Sequence, residues 1–266
     1  MNTHIRSKNT ETRDRMQPAF VLHRRDYSDT SLLVELFTAE HGRLPLLAKG
    51  AKRRRSPGSA LLQPFTPILV SWTGRGEVAT MVRVEPSGRP VALTGDALFC
   101  GFYVNELLMR LLGRQDPHAA LFAFYQVVLK ELADGEDLET PLRRFELRLL
   151  AELGYQAALD RESNDGPPLR AEQAYLYSRE QGLVPAVSSG TDGAISGETL
   201  RRLVVGDVLS GVHAREARHL TRCLLEPHLG HRPLNSRVLF AARSAARNGA
   251  KTTVSPSDGE SGERGA

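Results

Sequence analysis

The feature that most constrains this chain is a change of period close to Thr94. Before it, apolar and polar residues alternate in short runs parted by glycine turns, the two-residue repeat of strands. After it, apolar residues recur three and four apart, the repeat of helices. Strands in one block and helices in the next predict an α+β, multi-domain chain. Its 266 residues are enough for two ordinary domains.

Five strands are predicted in the first block. Ala19 to Arg25 is the first, followed by a polar turn over Asp26 to Asp29, and Thr30 to Thr38 is the second. Ala39-Glu40-His41-Gly42 is a hairpin turn, with Gly42 supplying a positive φ. Arg43 to Lys49 is the third strand, and Pro45 within it predicts an edge or a bulge. Ile68 to Trp72 is the fourth, Thr73 to Gly76 a second glycine hairpin, and Glu77 to Val84 the fifth, with Val78, Met81, Val82 and Val84 as its apolar residues. Five short strands with glycine turns suit a small barrel or sandwich. The OB-fold is such a barrel, and its open face commonly holds single strands.

The second block predicts a helical bundle. Asp96 to Leu112 carries a stripe of Leu98, Phe99, Phe102, Leu107, Leu108, Leu111 and Leu112. Asp116-Pro117 and Thr140-Pro141 each place a capping side chain before a proline, as helix starts do. Residues 155–195 break the pattern, with a small hairpin from Tyr175-Leu176-Tyr177 and Gly182-Leu183-Val184. Ser196 caps a helix that runs to Leu209, and a last helix covers Ala214 to Leu229. The expected boundaries are a basic extension over 1–17, a barrel over 18–93, a helical domain over 94–243 and a disordered tail over 244–266.

Charge is divided unevenly. Residues 1–93 hold 15 Lys/Arg against 8 Asp/Glu, and the remainder holds 20 against 23. The barrel half therefore carries the excess cation, as a half that meets a polyanion would. The densest run is Lys49-Gly50-Ala51-Lys52-Arg53-Arg54-Arg55, which leaves the third strand. Such a run also serves as a merely solvated loop. Arg43, Arg75 and Arg83 lie on neighbouring strands or turns, and Arg24 and Arg25 end the first strand. Binding that ignores base sequence needs cations along a backbone and an aromatic or two for stacking. Trp72, Phe65 and Tyr27 are the aromatics available, though each is also ordinary core material.

Other chemistry finds little footing. No apolar run approaches the ~20 residues of a membrane helix, and Met1 to Gln17 lacks the apolar segment of a secretory signal. Cys100 and Cys223 lie in apolar helical patterns, which predicts buried free thiols and a reducing cytoplasm. Gly74-Arg75-Gly76 is too short for a phosphate fingerprint and sits in a hairpin. His213 and His219 share a region with Cys223 but match no metal spacing. Asp134, Glu136, Asp137 and Glu139 cluster between helices, where they would serve a Mg²⁺-dependent nuclease or, more plainly, make a solvated acidic loop.

The order of several short motifs resembles the RecO family of recombination mediators. In the first half these are Ala19-Phe20-Val21-Leu22-His23, Ser28-Asp29-Thr30-Ser31-Leu32, Leu36-Phe37-Thr38, Gly42-Arg43, Ala48-Lys49-Gly50-Ala51, Gln63-Pro64-Phe65 and Gly74-Arg75-Gly76-Glu77-Val78. In the second they are Tyr103-Val104-Asn105-Glu106-Leu107-Leu108, Leu142-Arg143-Arg144-Phe145-Glu146, Leu153-Gly154-Tyr155 and Pro233-Leu234-Asn235-Ser236-Arg237. The resemblance implies an N-terminal five-stranded OB-fold barrel followed by a C-terminal α-helical domain. It implies a bacterial, nucleoid-associated cytoplasmic protein that is not an enzyme and needs no cofactor. Such proteins bind single- and double-stranded DNA and anneal complementary strands. They work with RecR, engage the acidic, hydrophobic C-terminal tail of single-stranded-DNA-binding protein (SSB), and help RecA load. By that likeness Arg43, Lys49, Lys52, Arg53, Arg54, Arg55 and Arg75 would hold DNA. Arg143, Arg144 and Arg148 would rim an apolar groove for the SSB tail, unless they pair with Glu146, Glu152 or the acidic loop. Many relatives carry a four-cysteine zinc module after the glycine-tyrosine pair. Leu159 to Val187 holds no cysteine, so no metal is expected there. An RNA- or ribosome-associated OB protein is the alternative from another class.

Overall fold

The computed structural model describes residues 15–53, 56–74, 76–163, 165–187 and 190–239. The first part is a closed barrel in the order β1-β2-β3-β5-β4, formed by β1 (Gln17–Asp26), β2 (Leu32–Thr38), β3 (Gly42–Ala48), β4 (Pro67–Thr73) and β5 (Ala79–Pro86). Antiparallel pairing runs around the barrel except at the seam, where β3 and β5 pair in parallel at Leu46↔Ala79 and Leu47↔Thr80 only. Pro45, which has no N–H to give, sits just before that short seam. A short helix α1 (Pro57–Leu61) follows the basic loop and packs on β5. It was not anticipated, since five residues are too few to hold a helix without tertiary contacts.

Alternation sorts β1 onto two cores. Ala19 and Val21 point into the barrel with Val34, Leu36 and Leu46, whereas Phe20 and Leu22 point out into the core of the helical domain. Phe37 of β2 also points outward. The outer faces of β1 and β2 are thus covered, which is why Ala19 to Leu22 reads as an unbroken apolar run. The rings of Phe20 and Phe37 meet Phe122 and Tyr125 at centroid distances of 5.2–6.0 Å, mostly edge to face. Each such ring removed from water contributes about 1.5–3 kcal/mol.

Two bulges interrupt the barrel. Val21 pairs with Leu36 and His23 with Glu35, so Leu22 has no partner across β2. Its carbonyl instead accepts the Asn105 amide at 3.0 Å, and the Tyr125 hydroxyl donates to Asn105 Oδ1 at 2.7 Å. In β5, Ser71 pairs with Arg83 and Trp72 with Met81, which leaves Val82 extra and exposed. The expected apolar face of the fifth strand is corrected accordingly: Val78 and Val82 face solvent, while Ala79 and Met81 serve the barrel core.

The second part comprises α2 (Gly95–Leu111), α3 (Ala119–Asp134), α4 (Glu139–Glu152), α5 (Gly197–Val205) and α6 (Gly211–Leu229), with a small sheet β7-β6-β8 between α4 and α5. Those strands are β6 (Ala174–Ser178), β7 (Gly182–Pro185) and β8 (Ile195–Ser196). Tyr175, Leu183 and Ile195 are fully buried in the main core and anchor the cysteine-free insert.

Three expected helix boundaries are corrected. Helix α3 begins after His118, not at Pro117. Residues 114–116 are drawn to the β2–β3 hairpin instead: Gln115 donates its N–H to the Arg43 carbonyl at 2.9 Å, and Asp116 packs so close to Gly42 that any Cβ there would overlap its carbonyl. Thr140 lies inside α4, where Asp137 Oδ1 accepts the Glu139 and Thr140 N–H groups, and the Thr140 hydroxyl takes the Leu209 N–H. Helix α5 ends at Val205 on Gly206, which has φ +84°, so Leu209 lies beyond it. On α2, Phe102 is 41% exposed and the inner face is Val104, Leu107 and Leu108, with Tyr103 and Asn105. Residues 1–14 and 240–266, which hold most of the expected extension and tail, fall outside the described residues, and β1 already includes Gln17.

Replacing Asn105 by alanine strands the Leu22 carbonyl and the Tyr125 hydroxyl between barrel and helices. Each buried orphan costs about 1–3 kcal/mol, so urea unfolding of Asn105→Ala should show a loss of that order per group, and Tyr125→Phe a smaller one.

Candidate nucleic-acid interface and helical-domain pocket

The basic loop is pinned at its backbone and open at its side chains. Lys52 donates its N–H to Thr30 at 3.0 Å, Arg53 to Gly50 at 3.1 Å and Ser56 to Arg53 at 2.8 Å, while Ala51 is buried beneath. Gly50 takes φ +71°, the turn that lets the chain leave β3 sharply. Lys49 and Arg53 are exposed, and among the described residues neither forms an ion pair. The Lys52 ammonium is held by Asp26 at 2.7 Å, which joins this loop to the β1–β2 turn. On that turn stands Tyr27, 66% exposed. Arg54, Arg55 and Arg75 lie outside the described residues.

Structure separates Arg43, Phe65 and Trp72 from this cluster. Arg43 sits at the opposite end of β3, half-buried, donating to the Met109 carbonyl and facing Glu35. Burial lowers its guanidinium pKa, with Glu35 acting against the change. Glu35, itself buried, also holds Arg114 at 3.2 Å. Phe65 and Trp72, each 4% exposed, are core residues and are corrected as stacking candidates; Tyr27 is the one of the three that stands in solvent. On the other flank of the loop, Ala48, Lys49 and Leu62 with Met81 to Glu85 enclose a groove of about 320 Å³.

In the helical domain the three arginines of α4 point three ways. Arg144 pairs with Glu131 at 3.0 Å and lies over the Phe124 ring, and Arg148 pairs with Glu152. Arg143 is buried, bonded to Glu146 at 3.0 Å and to the Thr221 hydroxyl at 3.2 Å. Of the three, Arg143 alone lines a pocket of about 260 Å³. The floor of that pocket is Phe99, Cys100 and Leu142, and its wall carries Arg218, Arg222 and Arg237. Arg218 is paired with Glu139, whereas Arg222 and Arg237 form no ion pair among the described residues. Reasoning from sequence missed these three. Arg218 and Arg222, four apart on α6, share one helical face, and that spacing was the available signal.

The chain belongs to the RecO family. Its residues 14–88 match the family model "Recombination protein O N terminal", and residues 92–238 match "Recombination protein O C terminal". A DNA repair protein RecO of Methylococcus capsulatus is 49% identical over 226 residues, covering 85% of this chain and 93% of that protein. That of Nitrosospira multiformis is 46% identical over 231 residues, 86% of this chain and 95% of its own length. That of Alkalilimnicola ehrlichii is 44% identical over 247 residues, 91% and 97% respectively. RecO membership makes this a DNA repair protein with a barrel of OB type before a helical domain.

In the acidic loop Asp134 and Glu136 are exposed, while Asp137 accepts N–H groups at the start of α4 and Glu139 binds Arg218. Among the described residues no three His, Cys, Asp or Glu side chains are placed to hold a metal. No helix among them is long and apolar enough to cross a membrane. Cys223 is corrected from buried to half-exposed, with its thiol 3.7 Å from His219 Nε2. Burial, helped by Glu139, pushes the Cys100 thiol up to about 12, and burial with Glu226 also raises Cys223. A disulfide reagent at pH 8 should therefore modify Cys223 slowly and Cys100, at the pocket floor, more slowly still; mass mapping of the labelled peptides checks the order.

Proposed function

We propose that this chain is a recombination mediator that binds single- and double-stranded DNA through its barrel, anneals complementary strands, and works with RecR and SSB to load RecA. The observation that carries this reading is the division between two cationic surfaces. On the barrel, Lys49, Lys52 and Arg53 project from a backbone-pinned loop beside the exposed Tyr27. On the helices, arginines wall a pocket with an apolar floor. An open cationic loop suits a polyphosphate, whose condensed counterions are released on binding. A walled apolar pocket suits a short peptide that ends in an aromatic and carries acids, which is the chemistry of the SSB tail.

Annealing by this route involves no covalent bond made or broken. Cations neutralise two like-charged backbones and hold them close while bases find their partners, and the pocket tethers the protein to SSB-coated strands. Arg54, Arg55 and Arg75 stay candidate DNA contacts on the family likeness alone, and Arg43 belongs to the domain junction by its contacts. For the tail, Arg222 and Arg237 line the pocket without an acidic partner among the described residues, Arg143 and Arg218 line it while paired with Glu146 and Glu139, and Arg144 and Arg148, paired with Glu131 and Glu152, do not line it.

Charge reversal of Lys49 and Arg53 should weaken single-strand binding across all sequences. It should also flatten the dependence of log K on log salt by about 0.7 for each phosphate contact removed. Lys52→Ala should cost less than Arg53→Ala, because Lys52 must first leave Asp26. Fluorescence anisotropy over a salt series measures both. Unchanged slopes in the reversed variant, or preferred binding of structured RNA, would reject the assignment. Annealing of SSB-coated strands, with tail-deleted SSB as control, tests the pocket.

A further inference from the structure

We infer that Glu106 and Arg110, one turn apart on α2, are positioning residues for the helical-domain pocket: they strap the segment 232–237 to the helix so that Arg237 stands in the pocket wall. This rests on the peptide-docking reading above and names what makes that site.

The strap is held by its backbone. Arg110 donates to the carbonyl oxygens of Arg232 at 3.0 Å and Pro233 at 2.8 Å. Glu106 accepts the N–H groups of Asn235 at 2.9 Å and Ser236 at 2.8 Å, and the Ser236 hydroxyl at 2.7 Å. Leu234, between the two clamps, is buried in the main core. The two clamping side chains lie 3.5 Å apart, so one helical turn takes both the carbonyls and the N–H groups of the segment. The next residue is Arg237. Its guanidinium lies 5.4 Å from the centroid of the Tyr103 ring and donates to the Tyr103 hydroxyl at 3.1 Å.

Arg237 needs this restraint for an electrostatic reason. It lines the same pocket as Arg143, Arg218 and Arg222, and like charges gathered in a partly desolvated site repel. The acid that lines it, Glu139, is engaged by Arg218, and Glu146, buried behind it, by Arg143. A segment carrying Arg237 without its clamps would swing the cation into water, where it is better hydrated. With the clamps closed, Arg222 and Arg237 are the wall cations without an acidic partner among the described residues, and a ligand carboxylate completes them. Glu106 and Arg110 touch no part of such a ligand.

The test is a double-mutant cycle on binding of a fluorescent acidic peptide that ends in phenylalanine. Arg237→Ala should weaken binding about tenfold, the size of one lost charge-assisted contact. Glu106→Ala should weaken it by a similar factor, and the double variant should be no weaker than Arg237→Ala alone. Independent losses that multiply, or a Glu106→Ala variant that binds as the parent does, would overturn the inference. Arg222→Glu is the control for the underlying reading: a peptide that binds this variant undiminished is not in the pocket at all, and both claims then fall. Should Glu106→Ala not fold by thermal melting, Arg110→Ala replaces it in the same cycle with the same required non-additivity.

Discussion

The structure depends on one displaced carbonyl. The bulge in β1 leaves Leu22 without a partner in the ladder. A buried peptide carbonyl without a partner is costly, and Asn105 of α2 removes that cost from across the domain junction. Asn105 can do so only while Tyr125 satisfies its other end. An irregularity in the barrel thereby fixes the rotation and height of α2 against it, and the packing of Phe20 and Phe37 on Phe122 and Tyr125 follows from that register. The outer face of the barrel and the helices consequently share one core, beside the barrel's own interior core, although the chain changes its period between them.

Helix α2 then distributes four consecutive residues among four tasks. Tyr103 reaches the Glu146 carboxylate and the Arg237 guanidinium, Val104 fills the core, Asn105 takes the barrel, and Glu106 takes the strap. Burial by itself would push the Glu106 carboxyl up, but the Ser236 N–H and hydroxyl, the Asn235 N–H and Arg110 together hold it below the usual carboxylate range. The sign of that shift matters. A depressed acid gives its stabilisation above its unfolded value and loses it only as pH falls through the lower folded value, so the strap is closed throughout the neutral range. Tyr103-Val104-Asn105-Glu106 and Pro233-Leu234-Asn235-Ser236-Arg237 are thus two sides of one junction, 130 residues apart between Glu106 and Ser236.

How far this could be read from residues alone depends on the range of the interaction. The change of period near Thr94 carried the two-part fold, and glycine turns carried the hairpins, because both are local. Ser196 marked a real helix start for the same reason. Asp116-Pro117 carried an equally good local signal and misplaced its helix by two residues, since Asp116 is wanted at Gly42. Thr140 was diverted in the same way by Leu209. The apolar run Ala19 to Leu22 marked a strand, but that both of its faces are covered is visible only once α2 and α3 are in place. In α4 the pattern gave an amphipathic helix without saying which margin of the stripe meets a cavity. Arg143 and Glu146, three apart, turned out to share the buried margin, with Arg144 and Arg148 beyond it.

The two cationic surfaces differ in what restrains them, and that difference suits the ligands proposed for them. Around Lys49 and Arg53 the backbone is fixed and the side chains are not, so the cations can follow a flexible polyphosphate whose charges recur without a fixed shape. Around Arg143, Arg218 and Arg237 the side chains themselves are bonded, to Glu146, Glu139 and Tyr103, above an apolar floor. Such a site pre-arranges its donors and leaves little freedom to lose on binding, which favours one short sequence over others. Arginine serves the second surface better than lysine would, because its planar fork holds a structural partner with one edge and presents the other. A single chain of modest net charge, +4, can in this way present one cationic surface matched to charge density and another matched to shape.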